Sequence, residues 1–471
     1  MKERSLQLSV ILVYVILFLT PFAASQSPSL PALPQAGQVA NVTSVSDATE
    51  SYALYLPSTY TAGKRWPIIY LFDPGGRGGR PVDLYKDVAE TYGFILAGSN
   101  NSRNFGSDQS KAVATIWRDT HTRLALDERR CYASGFSGGA RVAGAMALSG
   151  PPGQIAGVIA HGAGYPSNWS GKDSLAYFFA IGDQDFNWPE VTNIRHEREE
   201  NGSPHRVRVY SGNHQWAPAS VVEEAVQYLN LKAMQTGSLA VDQIFVDRAF
   251  EKISAEAADA ESRKDLIAQL SAYRTLVSDF TGIRDVKEPT AKAAALQQSA
   301  GLKSALKAER DQIAEQFRIE GEISPKISML ASGSAQDATA LRTEIRQQLG
   351  ALEDQAKHSK NETRRLVCGR AFNGIFVQSM EGGERELESR HFEKAEAYFD
   401  LMLLVSDNAW PALLLADTHA ASGNRKLAIK DLQECVRRGL KDRSVIESDP
   451  RLQVLKAEPE FQKLLAGLER K

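Results

Sequence analysis

The stretch Cys131-Tyr132-Ala133-Ser134-Gly135-Phe136-Ser137-Gly138-Gly139-Ala140-Arg141 constrains this chain more than any other. A short apolar run enters it, a turn of small residues follows, and an alanine-rich segment leaves it, an order that reads as strand, elbow, helix. In a Gly-x-Ser-x-Gly elbow the serine sits on a sharp, strained turn, and the flanking glycines let strand and helix pass close to its backbone. Ser137 is therefore a candidate nucleophile. Five such residues recur by chance in unrelated proteins, so the weight of the pattern comes from its surroundings.

Those surroundings alternate between strand and helix. Ser51 to Leu56 alternates toward a strand, and Trp66 to Phe72 is a near-continuous apolar run of the kind buried on both faces of a parallel sheet. Leu84 to Tyr92 has helical spacing, Phe94 to Gly98 is a strand, and Ser110 to Leu124 is a helix leading to the strand before the elbow. Beyond the elbow come strands over Ile155 to Ala160, Ala176 to Ile181 and Arg206 to Tyr210, then an amphipathic helix over Val221 to Met234. The expected fold is a twisted, mostly parallel sheet with helices on both faces, its loops converging at the carboxyl ends of the strands.

A chain of 471 residues is long enough for two or three domains, each with its own core. From Thr236 onward charged residues become more frequent and strand-like runs vanish, so a boundary is placed at 235/236. Residues 51–235 form the expected α/β catalytic domain, 236–370 a region of long antiparallel helices and 371–471 an all-α repeat domain. Before them, Lys2-Glu3-Arg4, the apolar run Val10 to Leu19 and Ala23-Ala24-Ser25 have a signal-peptide layout over 1–25. Export to the periplasm or the medium is the consequence, with an uncleaved membrane anchor as the alternative. Residues 26–50, rich in Pro, Ser, Ala and Gln, are expected to form a flexible leader.

A net charge of −2 and a pI near 6.5 lack the positive field of a nucleic-acid binder. Cys131, Cys368 and Cys435 are far apart with no Cys-x-x-Cys pair, which argues against a zinc site and a disulfide framework and for buried small hydrophobes. No metal and no cofactor is expected.

A serine nucleophile needs a base, and the base needs an acid to fix its tautomer. After Ser137 one strand runs into Gly182-Asp183-Gln184-Asp185-Phe186-Asn187, and the next into Gly212-Asn213-His214-Gln215-Trp216. His214 sits just past a strand and is the candidate base; Asp185 is favoured over Asp183 as the acid. His161, also after a strand, is expected to line the crevice without taking part. Backbone donors for a developing oxyanion are expected from Gly138 and from Gly75 or Gly76, since Pro74 has no N–H. Arg77 and Trp216 are candidate substrate-binding residues.

These residues resemble the α/β-hydrolase superfamily, and within it the secreted polyhydroxybutyrate-depolymerase and feruloyl-esterase-like group. The likeness covers Tyr52 to Leu231 and implies an ester-hydrolysing serine enzyme with Ser137, Asp185 and His214 as its triad. Asp73-Pro74 stands where many relatives have His-Gly, a departure that bears on acyl preference. Few residues separate the strands after Ser137, which leaves little room for a lid and suggests an open site for bulky or polymeric esters.

Near the C-terminus, the pattern of Phe392 to Phe399 recurs 33 residues on, Ala395 against Ala428. This resembles tetratricopeptide repeats, whose helix pairs stack because one pair cannot bury its apolar face alone, and implies a protein partner. Trp410 is displaced from the usual aromatic position, and no proline ends the first unit. A serine peptidase with the same triad, and a non-catalytic repeat scaffold with a vestigial hydrolase domain, are the rival readings of the whole chain.

Overall fold

Eight strands form one sheet in the computed structural model: β1 (Val39–Thr43), β2 (Ser51–Tyr55), β3 (Trp66–Phe72), β4 (Ile95–Ser99), β5 (Leu126–Phe136), β6 (Gly157–His161), β7 (Ala176–Gly182) and β8 (His205–Tyr210). Their order is β1-β2-β4-β3-β5-β6-β7-β8. β2 pairs antiparallel with β1 and with β4, and every other pairing is parallel. The structure describes residues 33–105, 107–149, 154–166 and 174–469, and from Pro34 onward they belong to one compact unit. The signal-like segment 1–25 lies outside the described residues.

Helices α1 (Gly79–Tyr92), α2 (Gln109–Arg123), α3 (Gly138–Ser149), α4 (Trp188–Asn201) and α5 (Ala219–Gln235) flank this sheet. Side chains of a strand point alternately to its two faces. Ile69 and Leu71 of β3 therefore join Val82 and Tyr85 of α1 and Val222 and Leu229 of α5, while Tyr70 turns the other way, its hydroxyl 2.8 Å from Thr120 Oγ1 of α2. On β7 Phe178 packs against Tyr228 of α5, and Tyr177 lies under the Arg198 guanidinium of α4. Both faces are thus buried, which is why these strands read as unbroken apolar runs.

The leader expected over 26–50 needs correction in its described part, 33–50, while 26–32 lie outside the described residues. Val39–Thr43 forms β1, with Val42 opposite Tyr52, and the Val45 N–H donates to Asp119 Oδ1 at 2.8 Å. Composition missed this strand because its stability comes from pairing with β2 rather than from its own apolar area.

The rest of the chain is helical: α6 (Gln243–Ser262), α7 (Leu266–Phe280), α8 (Lys287–Gln298), α9 (Ala300–Ala331), α10 (Ala338–His358), α11 (Glu362–Glu388), α12 (Phe392–Val405), α13 (Trp410–Ala421), α14 (Arg425–Arg437), α15 (Arg443–Glu447) and α16 (Pro459–Ala466). Side-chain N-caps set the breaks: Asp265 accepts from Ala268 N, Ser299 from Leu302 N, Asp337 from Ala340 N and Asn361 from Arg364 N. The boundary expected at 370/371 falls inside α11, because Val367, Ala371 and Ile375 continue one buried stripe across it. That stripe packs with Ile319 and Ile323 of α9 and Phe399 of α12, so the two expected helical domains share a core.

The helices are also bound to the sheet through buried charge. Asp279 of α7, fully buried, accepts from Arg206 Nε of β8 at 2.8 Å and lies 3.0 Å from Lys232 Nζ of α5. Glu309 of α9 takes His196 Nε2 at 3.0 Å and contacts Arg195, both of α4. Cys131, Cys368 and Cys435 are free and buried.

Glu320 of α9 provides a stability test. Burial raises its carboxyl from 4.5 to about 7, against a hydrogen bond from Gln316 that lowers it. The folded chain therefore holds a proton that the unfolded chain has released, so Glu320 makes stability fall as pH rises from 4.5 to about 7, with no further change above. Glu320→Gln should flatten that fall and stabilise the protein above neutral pH by up to about 3 kcal/mol. Urea unfolding of both proteins across this range checks it; parallel pH profiles would contradict it.

Candidate active site

The elbow lies where β5 ends and α3 begins. Ser137 has φ of +53°, a left-handed conformation that costs a non-glycine residue about 1–3 kcal/mol. Neighbouring structure holds it there: the Ser137 N–H donates to His161 O at 2.8 Å, and a β-carbon on Gly135 would come within 2.1 Å of Gly139 O. The strained turn points the hydroxyl out of the sheet's carboxyl end.

Ser137 Oγ lies 3.0 Å from His214 Nε2. On the far side of the ring, His214 Nδ1 is 2.9 and 3.0 Å from the two oxygens of Asp185, which is fully buried. A proton on Nδ1, facing the carboxylate, leaves Nε2 as acceptor for the serine hydroxyl. The rings of Phe136 and Phe186 flank the imidazole, with centroids at 4.6 and 4.3 Å. Asp183 does not touch the imidazole; its Oδ1 accepts from the Gly212 N–H at 3.0 Å and braces the loop that carries His214.

Around this chain of bonds the expected positions divide. The Gly138 N–H makes no hydrogen bond with another described residue, as a free donor requires. Gly75 and Gly76 do not fit the second donor role: the Gly75 N–H donates to Asp73 Oδ1 and the Gly76 N–H to Asp73 O, both at 2.9 Å. The buried Asp73 carboxylate also accepts from Arg77 Nε at 2.9 Å and Trp216 Nε1 at 3.1 Å. Trp216 is therefore no substrate contact; it is buried against Phe136, His161 and Tyr85 and anchors Asp73. Arg77 does reach the cavity. His161 does not line it as expected, being wholly buried with Nε2 2.7 Å from the Tyr85 hydroxyl, and burial pushes it down to about 3, which keeps it neutral.

Asn104 was not legible as a site residue. Its N–H donates to Pro74 O at 2.9 Å, and its side-chain amide lies against Gly138, where a β-carbon would stand 2.0 Å from Oδ1 and 2.7 Å from Nδ2. Oδ1 is buried without a hydrogen-bond partner. The two ends of an asparagine amide are told apart only by their bonds, so a half-turn presents Nδ2 at the same place.

Ser137 and His214 open into a cavity of about 870 Å³. Its opposite wall is helical, with Phe376, Glu381 and Glu384 of α11 and Trp410 and Asp417 of α13. The expectation of an open site is corrected: among the described residues the short connections between strands form no lid within the sheet domain, but the C-terminal helices fold back and supply one. They also grip the loop that carries Asp185. Gln316 Nε2 of α9 donates to Phe186 O at 2.9 Å, and Arg370 of α11 donates to Asp183 O at 3.1 Å while its guanidinium lies 4.1 Å from the Trp188 ring centroid.

Far from this cavity His121, Glu128 and Cys131 bring three ligand-type atoms within 4.8 Å of one another. Burial pushes the Cys131 thiol up to about 12, which disfavours the thiolate a metal would need.

The mostly parallel eight-stranded sheet with helices on both faces matches the α/β-hydrolase arrangement. Neither a protein-family model nor a curated protein matches the chain. Among solved structures, S-formylglutathione hydrolase from Staphylococcus aureus is 13% identical, with 42% of this chain and 99% of its own covered and a TM-score of 0.34. Thermogutta terrifontis esterase 2 is 13% identical over 45% and 98%, with a TM-score of 0.34. A ferulic acid esterase is 15% identical over 40% and 94%, with a TM-score of 0.33. These neighbours are hydrolases and esterases by name, and none is similar enough to lend this chain its substrate.

Proposed function

We propose that the chain is an exported serine hydrolase of the carboxylesterase class that works through an acyl-enzyme. The observation that carries this reading is the continuous chain of hydrogen bonds from Ser137 Oγ through His214 to buried Asp185, opening on a cavity. In the proposed reaction Ser137 Oγ attacks the ester carbonyl carbon while its proton passes to His214 Nε2. Asp185 stabilises the imidazolium. The tetrahedral intermediate expels the alcohol, which takes the proton from His214 and leaves the acyl group on Ser137. Water then attacks, giving its proton to His214, and the acid departs as Ser137 Oγ is reprotonated.

The Gly138 N–H and the side-chain amide of Asn104, a residue that lines the cavity beside Gly138, are the proposed oxyanion donors. Asn104→Ala should then lower kcat by about 10²–10³-fold with little change in KM. A KM effect alone would assign Asn104 to ground-state binding. The test of the whole reading is hydrolysis of p-nitrophenyl esters of increasing acyl length by the full chain. The helical wall favours small and medium acyl groups over polymers, so a maximum at short chain length is expected, and turnover of polymeric esters in preference to them would contradict the closed site.

Export rests on the signal-like segment. The likeness of Ser389 to Leu440 to tetratricopeptide pairs is kept as a proposal for that stretch, with a protein partner as its corollary.

A further inference from the structure

The cavity wall opposite Ser137 carries more negative charge than its own cations neutralise. Glu381, Glu384 and Glu388 lie on one face of α11 at i, i+3 and i+7, and Asp417 of α13 lies beside them. Glu388 is satisfied, contacting Arg451 and lying 3.6 Å from Arg103. The other three have only partial pairing, or none among the described residues. Asp417 is 1% exposed; its Oδ1 has no hydrogen-bond partner, its hydrogen-bonded neighbour Asp449 is a second acid, and Arg451 is 3.8 Å from Oδ2. Glu381 and Glu384 form no hydrogen bond or ion pair with another described residue. His214, Arg385 and Arg141 act on Glu381, and Arg451 and Arg103 on Glu384 against the like charges of Glu381 and Glu388, all at longer range.

Carboxylates withdrawn from water, partly for Glu381 and Glu384 and almost wholly for Asp417, are costly to ionise unless a sufficient counter-charge arrives. Burial raises Glu381 and pushes Glu384 up to about 7, the direction expected of acids awaiting one. A bare metal ion suits the wall poorly: among the described residues, the group whose ligand atoms converge closely enough to share one is His121, Glu128 and Cys131, which lies elsewhere. An ammonium group can be met by carboxylates that do not converge, because its N–H donors point in several directions. Phe376 and Trp410 line the same cavity and offer faces to a cation and to the carbon chain that bears it.

We propose that Glu381, Glu384 and Asp417 form a subsite for a primary ammonium group carried by the substrate. This rests on the serine-hydrolase reading, since it places the charged group in the cavity into which Ser137 opens. The substrate class is then an ester of an amino-bearing acid or alcohol, held by charge at one end while its carbonyl lies over the serine.

The test uses the full chain and two isosteric pairs, buffered about one unit above the Glu384 value so that its carboxylate is ionised. One pair is the p-nitrophenyl esters of 4-(ammoniomethyl)benzoate and 4-ethylbenzoate. The other is the acetates of 4-(ammoniomethyl)benzyl alcohol and 4-ethylbenzyl alcohol. In at least one pair the cationic member should have kcat/KM about tenfold or more above its neutral partner, and Glu384→Gln and Asp417→Asn should each cut that ratio severalfold. A ratio of one or below in both pairs, or ratios that neither substitution moves, would overturn the subsite. Fluorophosphonate labelling reports separately on Ser137. Were labelling and turnover both absent, the hydrolase reading would fall, and calorimetry would decide the subsite: benzylammonium binding that exceeds benzyl alcohol binding and is lost in both variants supports it, and no binding overturns it.

Discussion

Replacing Ser137 by alanine is expected to lower kcat for a short p-nitrophenyl ester by about 10⁴–10⁶-fold. The substitution removes the atom proposed to form the acyl bond and leaves His214 without its 3.0 Å partner. Any residual rate would come from the oxyanion donors and from binding. The fold should survive, because alanine meets the same backbone strain at φ of +53° that serine already bears, and the Ser137 N–H keeps its bond to His161 O. Kinetics together with thermal unfolding check both halves of this expectation. A rate reduced less than tenfold, in a variant as stable as the parent, would place the nucleophile elsewhere.

Arg370→Ala is expected to reduce activity from a distance. Arg370 is 2% exposed, and burial pushes its guanidinium down to about 10. It donates to Gln316 Oε1 and to Asp183 O, each at 3.1 Å, and to Gln312 Oε1 at 3.3 Å. Truncation leaves a cavity and three acceptors short of a donor, buried Gln316 Oε1 and half-buried Asp183 O and Gln312 Oε1, at a cost of about 3–5 kcal/mol. It also frees the loop 183–187, whose Asp185 orients His214. A displacement of about 1 Å in such an orienting group costs about 10²-fold in rate. The expected readout is a large fall in melting temperature together with a fall in kcat/KM measured well below it. Full activity at low temperature, with only stability lost, would show that the helical region supports the fold without ordering the acid loop.

The elbow and its partners were legible because their chemistry is local. A tight turn before a helix demands small residues at Gly135 and Gly139, and His214 and Asp185 both follow strands directly. Positions that depend on contacts distant in sequence were not. The N–H groups of Gly75 and Gly76 looked free, yet buried Asp73 takes both. Asn104 stands in an unremarkable polar loop and reaches Gly138 only through the fold. The helical wall was hidden by composition, since a charge-rich helix reads as a solvated face. A signal was present, however: Val367 to Met380 carries one charged residue, Arg370, and a helix apolar nearly all round must be covered. What covers it is the acid loop on one side and the cores of α9 and α12 on the other.

Activation of Ser137 within the cavity is tested most directly by covalent labelling of the full chain with a fluorophosphonate, read by intact mass and by sequencing of the labelled peptide. The hydrogen-bonded chain of Ser137, His214 and Asp185 predicts one adduct per molecule, on Ser137, absent in Ser137→Ala and much slower in Asp185→Asn. No adduct on the folded protein, or an adduct on another residue that persists in Ser137→Ala, would contradict it.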